Sequence, residues 1–336
     1  PLRRQLVAAS YPDEQSALGN FRYSNVGYNV LSVWFDQQYP RGWQSVLKEN
    51  VFAPLGMTHT SSVMSDADKP GWSIAQPYFY FSDDRNEQLY LSKKDNTMHS
   101  AGGMIASAQD LGRFVVAQLN QGVVDGRRVF PAAVINKSQQ QQASFTQKYG
   151  VYERFGYAWG WNLSNYKDQV LHGHFGGFAG TSSHISFMLE KGIGVVVINN
   201  EGALYGNRAL TSLFVDTLYD TLMLPDDFSP QQLTDISDNF DVKLDELVKM
   251  FSGFEARVAE GKASRAARPW QLSLSKSNYS GEYVHPLAGN ILIDLDEQQQ
   301  MRVRWGNMHA VATPFKHQDS VRLEFSPGSG RTITFN

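Results

Sequence analysis

The spacing of hydrophobic residues changes several times along the chain, and these changes constrain the fold more than any other feature. Helical spacing predicts helices over 26–37, 43–50 and 207–223. Ser107, followed by Asp110 and an apolar run, indicates the capping box that opens a further helix. Strand patterns are predicted between the helix that follows Ser107 and the helix over 207–223, at 157–163, 184–189 and 194–199.

Composition shifts near residue 225. An amphipathic helix is predicted over 229–262, and four of its apolar residues are spaced to share a face: Leu244, Leu247, Val248 and Phe251. From residue 279 onward, short alternating runs separated by Gly, Asn, Asp and Pro predict a small antiparallel β module that does not build the functional cleft. We therefore expect three parts: a main domain over 1–225, a helical linker over 226–274 and a β module over 275–336.

The overall composition excludes several classes of protein. A net charge of −3 and the absence of a clustered Lys/Arg footprint argue against a nucleic-acid partner. The longest apolar stretch, 193–198, is far shorter than the ~20 residues that span a bilayer. The absence of cysteine excludes disulfides, thiolate metal sites and a cysteine nucleophile.

Two local patterns carry chemistry. Tyr23-Ser24-Asn25 stands before a predicted helix in the context FRYSNVGYNVLS, and His174-Phe175-Gly176-Gly177 stands in the context HGHFGGFAGTSSHISF. Two further characteristic segments lie between these motifs, VFAPLGM and SAGGMIASAQDLGRF. In this order, over roughly residues 15–222, these patterns resemble the β-lactamase-related serine hydrolases, which include class C β-lactamases, D-amino-acid peptidases and family VIII carboxylesterases.

The resemblance implies an α+β fold, an antiparallel sheet flanked by helices, and an acyl-enzyme mechanism without a cofactor. In that family a serine in Ser-x-x-Lys attacks a carbonyl, and water then hydrolyses the acyl-enzyme. Carried onto this chain, Tyr23 is the general base and acid, and Asn25 binds the substrate amide. His174 is the third-motif residue, at the start of an edge strand. Gly177 matches the donor to the oxyanion hole, and Gly176 beside it contacts substrate.

Each of these assignments competes with a plainer interpretation. Tyr205-Gly206-Asn207 has the same form as the first motif but lacks the family-like run after it. A buried tyrosine is otherwise a packing residue, and a histidine near a strand end is otherwise held by a backbone carbonyl. The glycines around His174 favour a role in binding, because they suggest close approach of backbone to a ligand. His172, His174 and His184 do not complete a recognised zinc spacing, so we predict no metal site.

The nucleophile is not found where the resemblance places it, which is well before the tyrosine motif. Two Ser-x-x-Lys sequences occur, at 45–48 and 273–276, but both follow Tyr23 and are interpreted as chance matches. Ser237-Asp238-Asn239, in the predicted linker helix, is interpreted in the same way. We expect the chain alone to be inactive. Its fold would be completed by a preceding segment or by a partner copy, and without one apolar surface and a free strand edge would be exposed.

The function predicted from these features is a serine hydrolase acting on an ester, a β-lactam or a D-amino-acid amide. Histidine in place of lysine in the third motif weakens recognition of a substrate carboxylate, which favours an esterase or a peptidase over a β-lactamase. The alternative is a non-catalytic, penicillin-binding-protein-like binding or scaffold protein. The resemblance further implies a small-molecule or peptide substrate and a periplasmic or secreted location.

Overall fold

The computed structural model describes residues 2–10, 21–202 and 207–336 of the chain. Within these residues, eight segments are α-helical: α1 (Leu2–Ala8), α2 (Val26–Gln38), α3 (Gly42–Leu47), α4 (Ala53–Leu55), α5 (Ala108–Leu119), α6 (Ala132–Gln139), α7 (Asn207–Leu222) and α8 (Pro230–Ala266). A π-helical turn over Lys48–Phe52 joins α3 to α4. No helix of the described residues combines the length and the apolar character needed to cross a membrane.

Two short strand pairs precede the main sheet. They are β1 (Thr60–Ser61) with β2 (Ile105–Ala106), and β3 (Val123–Val124) with β4 (Arg127–Arg128). The main sheet is an antiparallel meander of six strands: β5 (Ala143–Tyr149), β6 (Tyr152–Tyr157), β7 (Asn162–Tyr166), β8 (Gln169–Phe178), β9 (Thr181–Met188) and β10 (Ile193–Asn199). Lys167 and Asp168 both adopt positive φ, which gives the tight turn between β7 and β8 the twist that a hairpin requires.

The predicted strand over 157–163 is wrong as a single element. Tyr157 ends β6, and β7 begins only at Asn162. The residues between them form a turn in which the Ala158 N–H donates to the Trp161 carbonyl at 2.8 Å and Gly160 has φ +83°. The continuous apolar character misled the prediction, because Ala158 and Trp161 are buried although they lie in a turn.

Helices cover both faces of the main sheet. On one face, Val215 and Tyr219 of α7 pack against a cluster that includes Leu171 and Met188. On the other face, Val115 of α5 joins a cluster formed mainly by sheet residues. The fold is therefore a mixed α and antiparallel β architecture, as predicted from the resemblance. Its sheet is held between α5 and α7, and that packing fixes the ends of the strands that line the site.

Helix α2 contrasts with these covered helices. Within the described residues it buries only Ser32, whereas Val30, Leu31 and Trp34 are each about half exposed. At the sheet, β10 is an edge strand in the strand order of the described residues. Both observations match the exposed apolar surface and free strand edge that the sequence predicted.

The C-terminal part contains α8 and two small antiparallel sheets around a separate apolar core. The strands are β11 (Gly281–His285), β12 (Gly289–Leu295), β13 (Met301–Trp305) and β14 (Met308–Val311), followed by β15 (Thr313–Pro314), β16 (Ser320–Leu323) and β17 (Arg331–Thr334). The shared helix face was predicted only in part, since Val248 is 52% exposed while Phe251 and Phe254 pack on Phe79 and Phe81. The small antiparallel module after α8 agrees with the sequence, and the exact domain boundaries stay a prediction.

Candidate active site

The first motif lies where the chain enters α2. Tyr23 is in extended chain, and Asn25 is the residue that precedes the helix. The Ser24 hydroxyl accepts a hydrogen bond from the Val26 N–H at 3.1 Å, so serine satisfies a backbone donor at this helix start. The Asn25 side chain makes no capping hydrogen bond. Its amide group therefore remains available to a ligand.

The third motif lies on β8, although not at the start of an edge strand. This strand begins at Gln169 and pairs with β7 from there to Gly173, while its pairing with β9 starts at His172. From His174 to Phe178, β8 pairs with β9 alone, because β7 begins only at Asn162, opposite Gly173. The edge prediction was therefore wrong for the strand and holds for its second half, which faces the site on its unpaired side.

The tertiary fold brings the two motifs together. The ring centroids of Tyr23 and His174 are 5.9 Å apart, with the rings tilted by 34°. Both side chains line a cleft of about 930 Å³, together with Asn25, Gly176 and Gly177. The five residues selected from the sequence thus share one cleft, while their chemical roles stay predictions.

Tyr157 is a cleft residue that the sequence analysis missed. Its ring centroid lies 6.3 Å from that of Tyr23 and 6.5 Å from that of His174. Burial, followed by the nearby hydroxyls of Tyr28 and Tyr23, raises the pKa of Tyr157. It therefore remains a protonated donor at neutral pH. No sequence signal marked it, because the predicted strand over 157–163 ran through this position.

His174 is neutral in this environment. Burial lowers its pKa, and the positive charges of Arg154 and Arg208 lower it further, against an opposing hydrogen bond to Phe175. The ring Nδ1 lies 2.7 Å from the Phe175 carbonyl oxygen, so the neutral ring carries its proton on Nδ1. The Nε2 atom is then a hydrogen-bond acceptor, which is unlike the cation of a third-motif lysine.

Two cationic residues also line the cleft, Lys93 and Arg208. Lys93 lies in the long irregular segment after β1, and Arg208 lies in the first turn of α7. Neither belongs to a recognisable motif. Their sequence neighbourhoods carried no signal, and only the fold places them in the same cleft as His174.

The competing sequence matches lie elsewhere. Ser45 donates to the Arg41 carbonyl at 3.0 Å, and Ser273 donates to the Asp319 carboxylate at 2.6 Å; neither lines the cleft. Ser237 lies on α8, also outside the cleft. The second Tyr-x-Asn triplet begins at Tyr205, which falls outside the described residues.

The three histidines of β8 and β9, at positions 172, 174 and 184, lie in different environments. His172 stacks on Phe187 at 5.0 Å, while His184 is fully buried and bonds Ser186 at 2.7 Å. His174 alone of the three lines the cleft. Across 2–10, 21–202 and 207–336, no group of three or more His, Asp or Glu residues is arranged to hold a metal ion.

Known proteins resemble the chain in sequence and in fold. The Beta-lactamase family model matches residues 5–213. Penicillin-binding protein 4 of Amycolatopsis lactamdurans is 23% identical over 216 residues, covering 62% of this chain and 54% of that protein. Unguisins hydrolase ungD' of Aspergillus campestris (strain IBT 28561) is 23% identical over 288 residues, covering 84% of this chain and 50% of that protein.

Among solved structures, the octameric penicillin-binding protein homologue from Pyrococcus abyssi superimposes with a TM-score of 0.50 at 16% identity, covering 93% of this chain and 60% of that one. This likeness concerns the fold. The chain spans about half the length of the curated relatives it matches. The family match covers more than half of the 336 residues and includes both motifs of the cleft. The chain therefore belongs to the Beta-lactamase family of hydrolases.

Proposed function

We propose that the cleft is the substrate-binding part of a serine acyl-transfer site that acts on an ester, a β-lactam or a D-amino-acid amide. One observation carries this proposal. Tyr23 and His174 are 151 positions apart in sequence (174 − 23), yet their rings lie 5.9 Å apart in one cleft. No local pattern brings them together, so their convergence supports the family's arrangement of motifs.

Each residue has a distinct task in this proposal. The Asn25 amide, which makes no capping bond, binds the substrate amide. The Tyr23 hydroxyl transfers protons to and from the leaving group, and the neutral His174 ring accepts a hydrogen bond at Nε2. The Gly177 N–H lies in the half of β8 that is unpaired on one side, where it stabilises the oxyanion.

The attacking serine belongs to a Ser-x-x-Lys segment other than 45–48 and 273–276, because Ser45 and Ser273 lie outside the cleft. The exposed apolar side chains of α2 support this part of the proposal. Val30, Leu31 and Trp34 lie on the helix that begins directly after Asn25. A helix packed on this face would present its serine beside the first motif.

Fluorophosphonate labelling followed by peptide mapping tests the nucleophile assignment. The purified chain of 336 residues should show no stoichiometric labelling. Ser45→Ala and Ser273→Ala variants serve as controls for trace reaction. Stoichiometric modification of Ser45 or Ser273 would show that the modified serine is the nucleophile. That result would overturn the assignment of the nucleophile to another Ser-x-x-Lys segment.

Binding of N-acetyl-D-phenylalaninamide, measured by isothermal titration calorimetry, tests the cleft itself. Asn25→Ala should weaken binding about threefold to tenfold, because a hydrogen bond to the amide is worth roughly 0.5–1.5 kcal/mol. Asn165→Ala, an exposed position on β7 outside the cleft, is the matched control. Equal affinities for the two variants would remove Asn25 from the binding site.

A non-catalytic binding protein is the second candidate, and the positions of Ser45 and Ser273 outside the cleft favour it for this chain. Hydrolysis assays on a form of the protein that carries the proposed Ser-x-x-Lys segment separate the two candidates. A hydrolase releases D-phenylalanine from its p-nitroanilide and loses this activity in Tyr23→Phe. A scaffold protein binds the amide with the same affinity and releases nothing.

A further inference from the structure

We propose that Tyr157 is a positioning residue of the site: together with Tyr28 it fixes the start of α2 against the sheet, and it thereby sets where Tyr23 and Asn25 stand in the cleft. This inference rests on the proposed function and deepens it, because it assigns a task to two tyrosines outside the triplet at 23–25. Both tyrosines line the cleft. In this role they act through the first motif and not on the substrate.

The start of α2 lacks the apolar packing that holds α5 and α7 to the sheet. Within the described residues, α2 buries only Ser32, and Asn25 before it makes no capping hydrogen bond. Tyr23 is 54% exposed. Most helical stability in proteins comes from tertiary packing of an apolar face. Because α2 has so little of it, the position of its first turn depends on a few specific contacts.

The Tyr157 ring supplies contacts to the chain that leads into α2. The Phe21 ring stacks on that of Phe145 at 4.4 Å and lies 4.9 Å from that of Tyr157. The rings of Tyr23 and Tyr157 are 6.3 Å apart with their planes at 83°, an edge-to-face arrangement that aromatic pairs prefer. The Tyr157 ring also lies 6.5 Å from that of His174. Tyr157, the last residue of β6, therefore contacts the first motif while it stands beside the third.

The Tyr157 hydroxyl meets that of Tyr28, which lies in the first turn of α2. Burial raises the pKa of Tyr157, and Tyr28 raises it further through electrostatic repulsion between the ionised forms and through a hydrogen bond. The Tyr28 hydroxyl also lies 3.7 Å from the place that a Cβ atom on Gly160 would take, in the turn that follows β6. The Tyr28 carbonyl accepts from the Ser100 hydroxyl at 2.8 Å. Asn25 and Tyr28 are three positions apart and so lie on the same side of the helix start. A fixed Tyr28 therefore fixes Asn25.

Hydrogen exchange of the chain of 336 residues, measured by mass spectrometry, tests the positioning without a ligand. In Tyr157→Phe, the amides over 26–32 should exchange about threefold faster, in line with the loss of one neutral hydrogen bond. Tyr28→Phe should do the same, and the double variant should exchange no faster than either single variant, since both remove one shared hydrogen bond. Tyr152→Phe removes a hydroxyl from the other end of β6, outside the cleft, and should leave this exchange unchanged.

Calorimetric titration with N-acetyl-D-phenylalaninamide tests whether the positioning acts on binding. Tyr157→Phe should weaken binding about threefold in the unmodified chain and should lose most of that effect in an Asn25→Ala background. The reason is that a residue acting through the Asn25 amide has little effect once that amide is gone. Equal losses in both backgrounds would indicate a direct contact between Tyr157 and the ligand and would overturn the inference.

The remaining results separate the inference from the proposed function. Unchanged exchange in Tyr157→Phe, additive effects of Tyr157→Phe and Tyr28→Phe, or an equal effect of Tyr152→Phe would overturn the inference and leave the proposed function standing. Failure of the amide to bind the unmodified chain, with exchange as expected, would overturn the proposed function and with it the link from Tyr157 to substrate binding. Circular dichroism of each variant establishes that it is folded.

Discussion

The glycines in and after the third motif differ in the space that surrounds their Cα atoms. A Cβ atom added at Gly176 would lie 2.4 Å from the Ser183 hydroxyl, whereas one at Gly177 would meet nothing closer than 3.6 Å. Gly180 combines φ +71° with a Cβ position 2.4 Å from Pro77. Close approach and left-handed backbone therefore require glycine at 180, whereas at 176 the Ser183 hydroxyl can rotate away from an added Cβ. At 177 the structure leaves room for a side chain, so that glycine is not explained by crowding.

Gly180→Ala should destabilise the protein by about 2–4 kcal/mol, because it adds a clash with Pro77 to the cost of left-handed backbone. Gly192→Ala is the control, since Gly192 has φ +65° with no atom within 4 Å of the added Cβ. It should cost only about 1 kcal/mol. Urea denaturation measures both values. Equal losses would show that Pro77 moves aside without cost.

His184 makes stability depend on pH. Burial, with the nearby His174 and Arg154, lowers the pKa of His184 to about 3, below the usual 6.5. Between pH 6.5 and about 3 the unfolded chain therefore binds a proton that the folded protein does not. The free energy of unfolding should fall on acidification by up to about 1.4 kcal/mol per pH unit for this side chain.

Urea midpoints measured from pH 7 to pH 4.5 test this dependence on His184, and this range lies above the usual titration of aspartate. His184→Asn should reduce the slope of stability against pH, whatever it does to stability at pH 7. Burial also lowers the pKa values of His172 and His174, so a residual slope is expected. A slope unchanged by the substitution would contradict the assignment to His184.

Among the structural elements, α5 and α8 are held by polar contacts at specific points. At the start of α5, the Ser107 hydroxyl accepts from the Asp110 N–H at 3.1 Å, as the capping box predicts. The Asp110 carboxylate instead accepts from His59 N–H and the Thr60 hydroxyl, both at 2.7 Å. Half of the local motif is thus used for a tertiary contact, which ties α5 to β1.

Asp216 joins α7 to both α8 and the sheet. Its carboxylate accepts from Lys243 of α8 at 2.5 Å, from Lys167 at 3.0 Å, and from the Tyr166 hydroxyl. Burial alone would raise the pKa of Asp216, and these hydrogen bonds outweigh it and lower the pKa. The network therefore stabilises an ionised carboxylate with only 11% of its side chain exposed.

Asp216→Asn should cost about 2–3 kcal/mol of stability, because it leaves Lys243 without its counter-charge in a partly buried network. Asp220→Asn is the matched control, since Asp220 pairs with Lys167 alone and is more exposed. Its loss should stay under about 1 kcal/mol. Thermal denaturation of both variants decides the point, and similar losses would mean that α8 does not depend on Asp216.

At the scale of the whole molecule, the C-terminal module touches the wall of the cleft indirectly. No residue beyond Arg208 lines the cleft in the described chain, as predicted from the sequence. The segment that contributes Leu91 and Lys93 to the cleft is nevertheless anchored to the module. The Tyr90 hydroxyl donates to the Phe325 carbonyl at 2.7 Å and accepts from the His309 N–H at 3.1 Å. The tail thus supports a wall of the cleft that it does not form.

Tyr90→Phe should weaken binding of N-acetyl-D-phenylalaninamide about threefold, because the loss of these hydrogen bonds frees the segment that ends at Lys93. Tyr283→Phe is the control, since the Tyr283 hydroxyl donates to the Tyr279 carbonyl at 3.0 Å within the module. Calorimetric affinities and urea midpoints are compared for both. Weakened binding in both variants, or in neither, would show that the anchor does not act on the cleft.

Local sequence patterns were enough to predict five of the helices (α2, α3, α5, α7 and α8), the strands β9 and β10, the serine cap of α5, and the motifs at Tyr23 and His174. These follow from periodicity, capping and turn chemistry, which act over a few residues. Only the tertiary structure decided that the turn at Gly160 interrupts a predicted strand, that β8 is unpaired on one side from His174, and that Lys93 and Arg208 enter the cleft. These features depend on strand pairing and packing between distant segments, which no local pattern encodes.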